Sequence, residues 1–175
     1  MRVFGLLLCF TLLAGCDGSS EHKPIEDKEA FRQSLLEKAL NDDTRRAGNE
    51  FLANNLKQPG VQVTASGLQY RIITDAAGAK PARDQIVEVQ YQGRRVDGGI
   101  FDATAEGKSI KFPLNQVIDG WREGLSMMSV GSEWELFIPA DLAYGARSPS
   151  VDIPANSTLI FTVKLLGISD AGAQE

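Results

Sequence analysis

Cysteine and histidine are almost absent from this chain, and their scarcity excludes several classes of chemistry. Its 175 residues include two cysteines, Cys9 and Cys16, and a single histidine, His22. A Ser–His or Cys–His nucleophile and a zinc site built from His and Cys both need more such residues than this. We therefore expect neither a disulfide nor a requirement for a metal or an organic cofactor.

A large excess of positive charge is also missing. The formal net charge is -5, with 18 basic and 23 acidic residues, so a nucleic-acid partner is disfavoured. The hydrophobic content of 43% suits a folded core, and the length leaves room for one compact domain with extra segments.

The only long apolar run lies at the start of the chain, from Phe4 to Ala14, after the positive Arg2. It is too short to span a bilayer comfortably as a mature helix, and a signal peptide is the better interpretation. The sequence Leu13-Ala14-Gly15-Cys16 resembles the bacterial lipobox, which is cut before a cysteine that receives lipid. An ordinary signal peptide or a buried helix is the alternative.

Lipid on Cys16 would hold the protein on a membrane surface without spanning it, with the folded part on the periplasmic side. Asp17 resembles a signal that retains some lipoproteins at the inner membrane, and it leaves the choice between inner and outer membrane open.

Composition shifts divide the chain into five predicted segments. They are a signal peptide at 1–15, a polar tether at 16–25, a helical segment at 26–58, the main domain at 59–170 and a tail at 171–175. In the helical segment, Phe31, Leu35 and Ala39 recur at helical spacing, which predicts one helix, or two with a break at 41–43 or at Gly48. This segment either packs one face on the main domain or serves as a dimerisation arm.

The main domain has mostly period-two patterning, which is typical of half-buried strands. Five strands are predicted, around 68–72, 87–91, 110–112, 134–138 and 158–166. One helical pattern interrupts them, with Val117, Trp121, Leu125 and Met128 on one face and Asn115 as its expected cap. We therefore predict an α+β fold, in which a five-stranded curved antiparallel sheet wraps around one short helix.

Two glutamates flank Trp134 in the fourth predicted strand. Glu133 and Glu135 share its polar face, and a solvated strand edge explains them better than a pair of catalytic carboxylates.

Several blocks between about Gly67 and Ile168 occur in a fixed order. They are Val89-Gln90-Tyr91-Gln92-Gly93, Asp97-Gly98, Phe101-Asp102, Phe112-Pro113-Leu114, Val117-Ile118, Gly120-Trp121, Gly124-Leu125, Ile138-Pro139, Ala143-Tyr144-Gly145, Ile153-Pro154 and Leu159-Ile160-Phe161. In these blocks the chain resembles the FKBP-type peptidyl-prolyl cis-trans isomerases. The stretch 64–70, preceded by a helical segment, is similar to their periplasmic branch, which includes the macrophage-infectivity-potentiator-like proteins.

The resemblance implies a prolyl isomerase that acts on unfolded or partly folded exported proteins and binds macrolide inhibitors such as rapamycin. It implies that Trp121 forms the floor of the pocket, that the Tyr144 hydroxyl and the Ile118 N–H hold substrate carbonyls, and that Asp102 polarises the pocket. The full set of implied pocket residues is Tyr91, Phe101, Asp102, Val117, Ile118, Trp121, Tyr144, Ile153 and Phe161. For Phe112 and Leu136 we prefer a core-filling role.

Two stretches depart from the family pattern. Relatives commonly have Arg-Gly after the Phe-Asp block, where this chain has Ala105-Glu106-Gly107, so a cation near Asp102 would have to come from Lys108 or Arg94. The loop at 147–150 is individual to this chain and is expected to influence which clients bind.

Two other functions remain open on the sequence alone. The same pocket and helical arm could grip apolar peptide as a non-catalytic chaperone, or the chain could be a purely structural lipoprotein. Because the helical arm is short, we expect a monomer or a weak homodimer.

Overall fold

The computed structural model describes residues 28–40 and 42–170, and these form three helices and a curved antiparallel sheet. The predicted signal peptide, Cys16, the tether and the tail at 171–175 lie outside the described residues. The helices are α1 (Lys28–Leu40), α2 (Asp43–Asn55) and α3 (Asp119–Met127). The strands are β1 (Val61–Val63), β2 (Gln69–Thr74), β3 (Ile86–Arg95), β4 (Ile100–Ala103), β5 (Ile110–Pro113), β6 (Glu133–Ile138) and β7 (Leu159–Ser169).

The sheet has seven strands in the order β1-β2-β6-β7-β3-β4, with β5 paired to β3. The α+β class and the curved sheet are confirmed, but the predicted count of five strands is too low. The two additional strands are β1, with three residues, and β4, with four, and both are mostly exposed. Neither is long enough to produce a clear alternation of buried and exposed residues.

The main core lies between the concave face of the sheet and α3. Trp134 and Leu136 of β6 face the same way as Phe161 and Val163 of β7, to which they are paired. Leu125 and Met128 from the end of α3 complete this core and are fully buried. The helix is anchored because its apolar stripe and the apolar face of the sheet are removed from water together.

The cap expected at Asn115 is wrong. Asn115 lies inside a short 3-10 turn, Leu114–Gln116, and α3 begins later, with Ile118 as its N-cap residue. Val117 is extended, so it precedes the helix although its spacing from Trp121 fits one. No side chain caps α3.

The helical segment contains two helices, because α1 ends at Leu40 and α2 begins after its N-cap residue, Asp42. Asp42 caps α2 by accepting a hydrogen bond from the Thr44 N–H over 2.6 Å. Gly48 does not break α2, which runs through it. On the convex face of the sheet, Leu52 of α2 packs with Phe137 and Ile160 in a second apolar cluster.

The first helix is much less covered. Phe31, Leu35 and Leu36 of α1 are all exposed large apolar side chains. Within the described residues, no helix has the length and apolar character needed to cross a membrane.

Candidate active site

A pocket of about 440 Å³ opens at one end of the concave face, between the sheet and the N-terminal end of α3. Its volume is within the range of roughly 300–1,000 Å³ found for ligand sites. The structure brings all nine sequence-predicted pocket residues into its lining. The lining residues are Tyr91, Phe101, Asp102, Phe112, Gln116, Val117, Ile118, Trp121, Tyr144, Pro149, Ser150, Ile153 and Phe161.

Trp121 is at the centre of the aromatic part of the pocket. Three rings meet it edge to face, with centroid distances of 5.1 Å for Tyr91, 5.7 Å for Phe112 and 5.2 Å for Phe161. Such edge-to-face contacts hold aromatic rings in defined orientations. Trp121 is only 4% exposed, and its indole N–H has no hydrogen-bond partner among the described residues. The floor of the pocket is therefore apolar and rigid.

The wall beside this floor depends on a glycine in β3. Gly93 lies on the concave face, and a Cβ atom there would lie 2.7 Å from the Phe101 ring and 2.8 Å from the Phe161 ring. The two rings pack edge to face over this position, with centroids 5.5 Å apart. Any larger residue at Gly93 would push the rings apart, so this position sets the shape of the wall.

Polar groups lie at the mouth of the pocket. The Tyr91 hydroxyl donates a hydrogen bond to Asp102 Oδ2 over 2.5 Å. Burial raises the pKa of the Tyr91 hydroxyl, and the hydrogen bond to Asp102 and the negative charge of that carboxylate raise it further. Tyr91 therefore stays protonated at neutral pH and remains a donor that orients the carboxylate.

Two other donors face the same space. Tyr144 is 40% exposed, so its phenol is accessible from solvent. The backbone N–H of Ile118 has no hydrogen-bond partner among the described residues, while the Ile118 carbonyl accepts the N–H of Arg122 in the first turn of α3. An unpaired N–H beside a pocket can donate to a bound carbonyl.

Arg94, one of the two residues that could have supplied a cation near Asp102, does not do so. Arg94 lies on the convex face of β3, where it forms an ion pair with Glu135. Arg71 binds the other oxygen of the same carboxylate. No ion pair to Asp102, from Lys108 or another residue, is found within 28–40 and 42–170.

The interpretation of Glu135 as part of a solvated edge is also wrong. Its strand, β6, lies between β2 and β7 inside the sheet, and Glu135 is 4% exposed beneath the two arginines. The period-two pattern showed which face the side chain takes, but not that neighbouring strands would cover it.

Sequence reasoning did not place two of the lining residues in the site. Phe112 was assigned to the core, and it both packs on Trp121 and lines the pocket. Gln116 comes from a short 3-10 turn, and no sequence pattern marked it. Pro149 and Ser150 also line the pocket, and they belong to the loop at 147–150 that we expected to influence which clients bind. The described residues contain no cluster of three or more His, Cys, Asp or Glu side chains suited to a metal ion.

Comparison with known proteins agrees with this architecture. The sequence model of the FKBP-type peptidyl-prolyl cis-trans isomerases matches residues 78–166, just over half of the chain, and the model of the domain amino-terminal to it matches residues 18–72. This chain belongs to the FKBP-type peptidyl-prolyl cis-trans isomerase family.

Individual relatives share a large part of the sequence. The outer membrane protein MIP of Legionella longbeachae is 46% identical over 81% of this chain and 64% of its own length. An FKBP-type 22 kDa peptidyl-prolyl cis-trans isomerase of Escherichia coli is 50% identical over 69% of this chain and 59% of its own length. The crystal structure of FkpA from Escherichia coli superposes with a TM-score of 0.71 at 36% identity, covering 81% of this chain and 66% of that one. The chain thus spans about three fifths of the length of the curated relatives it matches.

Proposed function

We propose that this chain is a peptidyl-prolyl cis-trans isomerase that accelerates rotation about X-Pro bonds in unfolded or partly folded exported proteins. The observation that carries the proposal is the pocket itself. Its floor is a buried tryptophan surrounded by edge-on rings, and the hydroxyls of Tyr91 and Tyr144 lie at its mouth. This arrangement suits a reaction that forms no covalent bond.

The reaction places specific demands on a site. Rotating an amide requires loss of its resonance, at a barrier of roughly 18–20 kcal/mol. The twisted amide is less polar than the planar one, so transfer from water into an apolar pocket favours the transition state over the ground state. Neither a nucleophile nor an acid–base pair is needed.

The lining residues take distinct roles in this proposal. Trp121 receives the prolyl ring, and Phe101 and Phe161 exclude water from it. The Tyr144 hydroxyl and the Ile118 N–H donate to the substrate carbonyls that flank the rotating bond. Asp102, oriented by the Tyr91 hydroxyl, supplies a fixed negative charge at the mouth and attacks nothing. Macrolide inhibitors such as rapamycin would occupy the same pocket.

The direct test is a protease-free assay of cis–trans exchange on short X-Pro peptides. Exchange faster than the uncatalysed rate supports the proposal, whereas an unchanged rate together with peptide binding supports the non-catalytic chaperone instead. That second function is favoured by one observation, the exposed Phe31, Leu35 and Leu36 on α1, which could contact apolar client segments.

We further propose that the protein is anchored to the periplasmic side of a bacterial membrane by lipid on Cys16. The sequence before Cys16 supports this, and one relative is named an outer membrane protein. The oligomeric state proposed is a monomer or a weak homodimer, because α1 offers only a short apolar stripe.

A further inference from the structure

Two consecutive loops form one side of the pocket mouth. The first loop, residues 140–147, carries Tyr144, and the second loop, residues 148–156, carries Ile153. Asn156, at the end of the second, donates its backbone N–H to the Gly145 carbonyl of the first over 2.7 Å. Asn156 is buried, at 2% exposure, and has a φ of 61°, a left-handed conformation that is uncommon outside glycine. The relative position of Tyr144 and Ile153 therefore depends on how firmly Asn156 is held.

Helix α2 reaches this point from the N-terminal segment. Arg45 donates from Nη2 to Asn156 Oδ1 over 3.0 Å and forms a two-pronged ion pair with Asp141, over 2.8 and 3.1 Å. Asp141 lies three residues before Tyr144, in a short 3-10 turn. One guanidinium thus contacts both loops, and its side chain is only 14% exposed although Asp141 is 73% exposed. A planar guanidinium can bind one carboxylate through two parallel hydrogen bonds and still donate to a second partner, whereas an ammonium lacks this rigid fork.

The close approach of α2 to these loops depends on a second position. A Cβ atom on Gly48 would lie 2.4 Å from Thr158 Oγ1, so only glycine lets the helix lie this close to the chain that follows Asn156. Arg45 is one helical turn before Gly48. The contact between helix and loops is therefore a packed surface and not a single ion pair.

The second loop is also held from the opposite side. Arg95 of β3 donates from Nη1 to the Asp152 carbonyl over 2.8 Å, and Ser148 Oγ donates within the loop to the Ile153 carbonyl over 2.8 Å. The Asp152 end of this loop thus has its own support. Asn156, at the other end, is contacted from the N-terminal segment by Arg45 of α2 and by the side chain of Asp42, the N-cap residue of that helix.

We propose that Arg45 is a positioning residue for the prolyl pocket, which acts through Asp141 and Asn156 on Tyr144 and Ile153. This inference rests on the proposed isomerase function. It gives the N-terminal helical segment a role in substrate binding, separate from any role in dimerisation. Because Trp121, Tyr91 and Asp102 are held by other elements, loss of Arg45 should weaken substrate binding more than it slows the bound reaction.

The test compares Arg45→Met with Arg46→Met in the full chain. Arg46 is the matched control, because it lies on the same helix and, within the described part of the chain, its one ion pair is with Asp43, three residues before it. We expect Arg45→Met to raise KM for an X-Pro peptide roughly threefold to tenfold with little change in kcat, since one charge-assisted contact is lost. Arg45→Lys should also raise KM, but by less than Arg45→Met does. Hydrogen exchange at the Gly145 and Asn156 amides should accelerate in Arg45→Met and stay parental in Arg46→Met.

Asp141→Asn is the second variant, because substitution of an exposed side chain changes folding stability little. It should change KM and amide exchange in the same direction as Arg45→Met. Parental KM and parental exchange in both variants would overturn the positioning role. A parent that binds the peptide without accelerating isomerisation would contradict the proposed function instead, and the peptide dissociation constants of the variants would then decide the positioning role. A parent that does not bind the peptide would overturn both.

Discussion

The hydroxyl of Tyr91 donates to the carboxylate of Asp102 at the mouth of the pocket, over an O–O distance of 2.5 Å. Tyr91 also meets Trp121 edge to face, so one residue connects the apolar floor to the charged rim. The pair orients a carboxylate for which no ion-pair partner is found among the described residues. The carboxylate is therefore held by a neutral donor and keeps its full negative charge at the mouth.

The charge of Asp102 can be removed without changing its shape. In Asp102→Asn we expect kcat/KM to fall about fivefold, which corresponds to about 1 kcal/mol of transition-state stabilisation. The unfolding midpoint should stay near that of the parent because Asp102 is exposed. Tyr91→Phe, which keeps the carboxylate and removes only its donor, should lose less activity. An Asp102→Asn variant with parental kcat/KM would show that the carboxylate is not used.

Because the pKa of Tyr91 is raised in the folded protein, the free energy of unfolding should change with pH in the alkaline range. A tyrosine whose pKa is higher in the folded than in the unfolded state stabilises the fold fully below the unfolded value of about 10, and this contribution is lost as pH rises above it. The difference in unfolding free energy between the parent and Tyr91→Phe should therefore be constant from about pH 9 to about pH 10 and shrink from there to about pH 11. If the difference between the two unfolding free energies does not change up to about pH 11, the raised pKa of Tyr91 is contradicted.

The buried Glu135 depends on its two arginines. Replacing both, as Arg71→Met with Arg94→Met, leaves a buried carboxylate without a counter-charge, which typically costs about 3–5 kcal/mol. We expect a value at the low end, because Arg71 is 45% exposed in its side chain. Glu133→Gln, on the same strand and without an ion pair among the described residues, is the control and should change stability little. Denaturant unfolding gives the free energy of unfolding of both variants. A double arginine variant as stable as the Glu133→Gln control would refute the role of the arginines.

Lipid attachment needs the thiol of Cys16. In the parent, mass spectrometry should find the mature chain starting at a lipid-modified Cys16, and Cys16→Ser should give an unlipidated chain that no longer partitions with membranes. An unmodified Cys16 in the parent, or a mature start elsewhere, would remove the anchoring proposal and leave the pocket assignment unaffected.

Much of the fold follows from local patterns. The strands β3, β6 and β7 carry long alternations, and the stripe of Trp121, Leu125 and Met128 marks the helix beneath them. The start of α3 and the strands β1 and β4 were not predicted correctly. Their residues are set by hydrogen bonding to neighbouring strands and by packing, which a window of sequence does not contain.

Sequence reasoning also predicted one part of the candidate site and left another part to the structure. Motif resemblance identified the nine residues that the fold gathers, because their order along the chain is distinctive. It could not show that Glu135 is buried between two arginines on the opposite face of the sheet, because that depends on strand order. The face taken by Arg94 follows from strand alternation, which places it opposite to Tyr91. The contact of Arg45 with Asn156 joins residues 111 positions apart, and no local pattern marks it.

The most direct test of the account is the rate of X-Pro isomerisation, measured without protease, for the parent, Trp121→Ala and Phe101→Ala. Each variant must first show a native-like unfolding transition, since truncating a buried aromatic can cost about 3–5 kcal/mol. Phe31→Ala, an exposed aromatic outside the pocket, is the control. We predict a catalysed parental rate, a similar rate for Phe31→Ala, and a fall of about tenfold or more in both pocket variants as water enters the site. A parent no faster than buffer, or folded pocket variants as fast as the parent, would contradict the account.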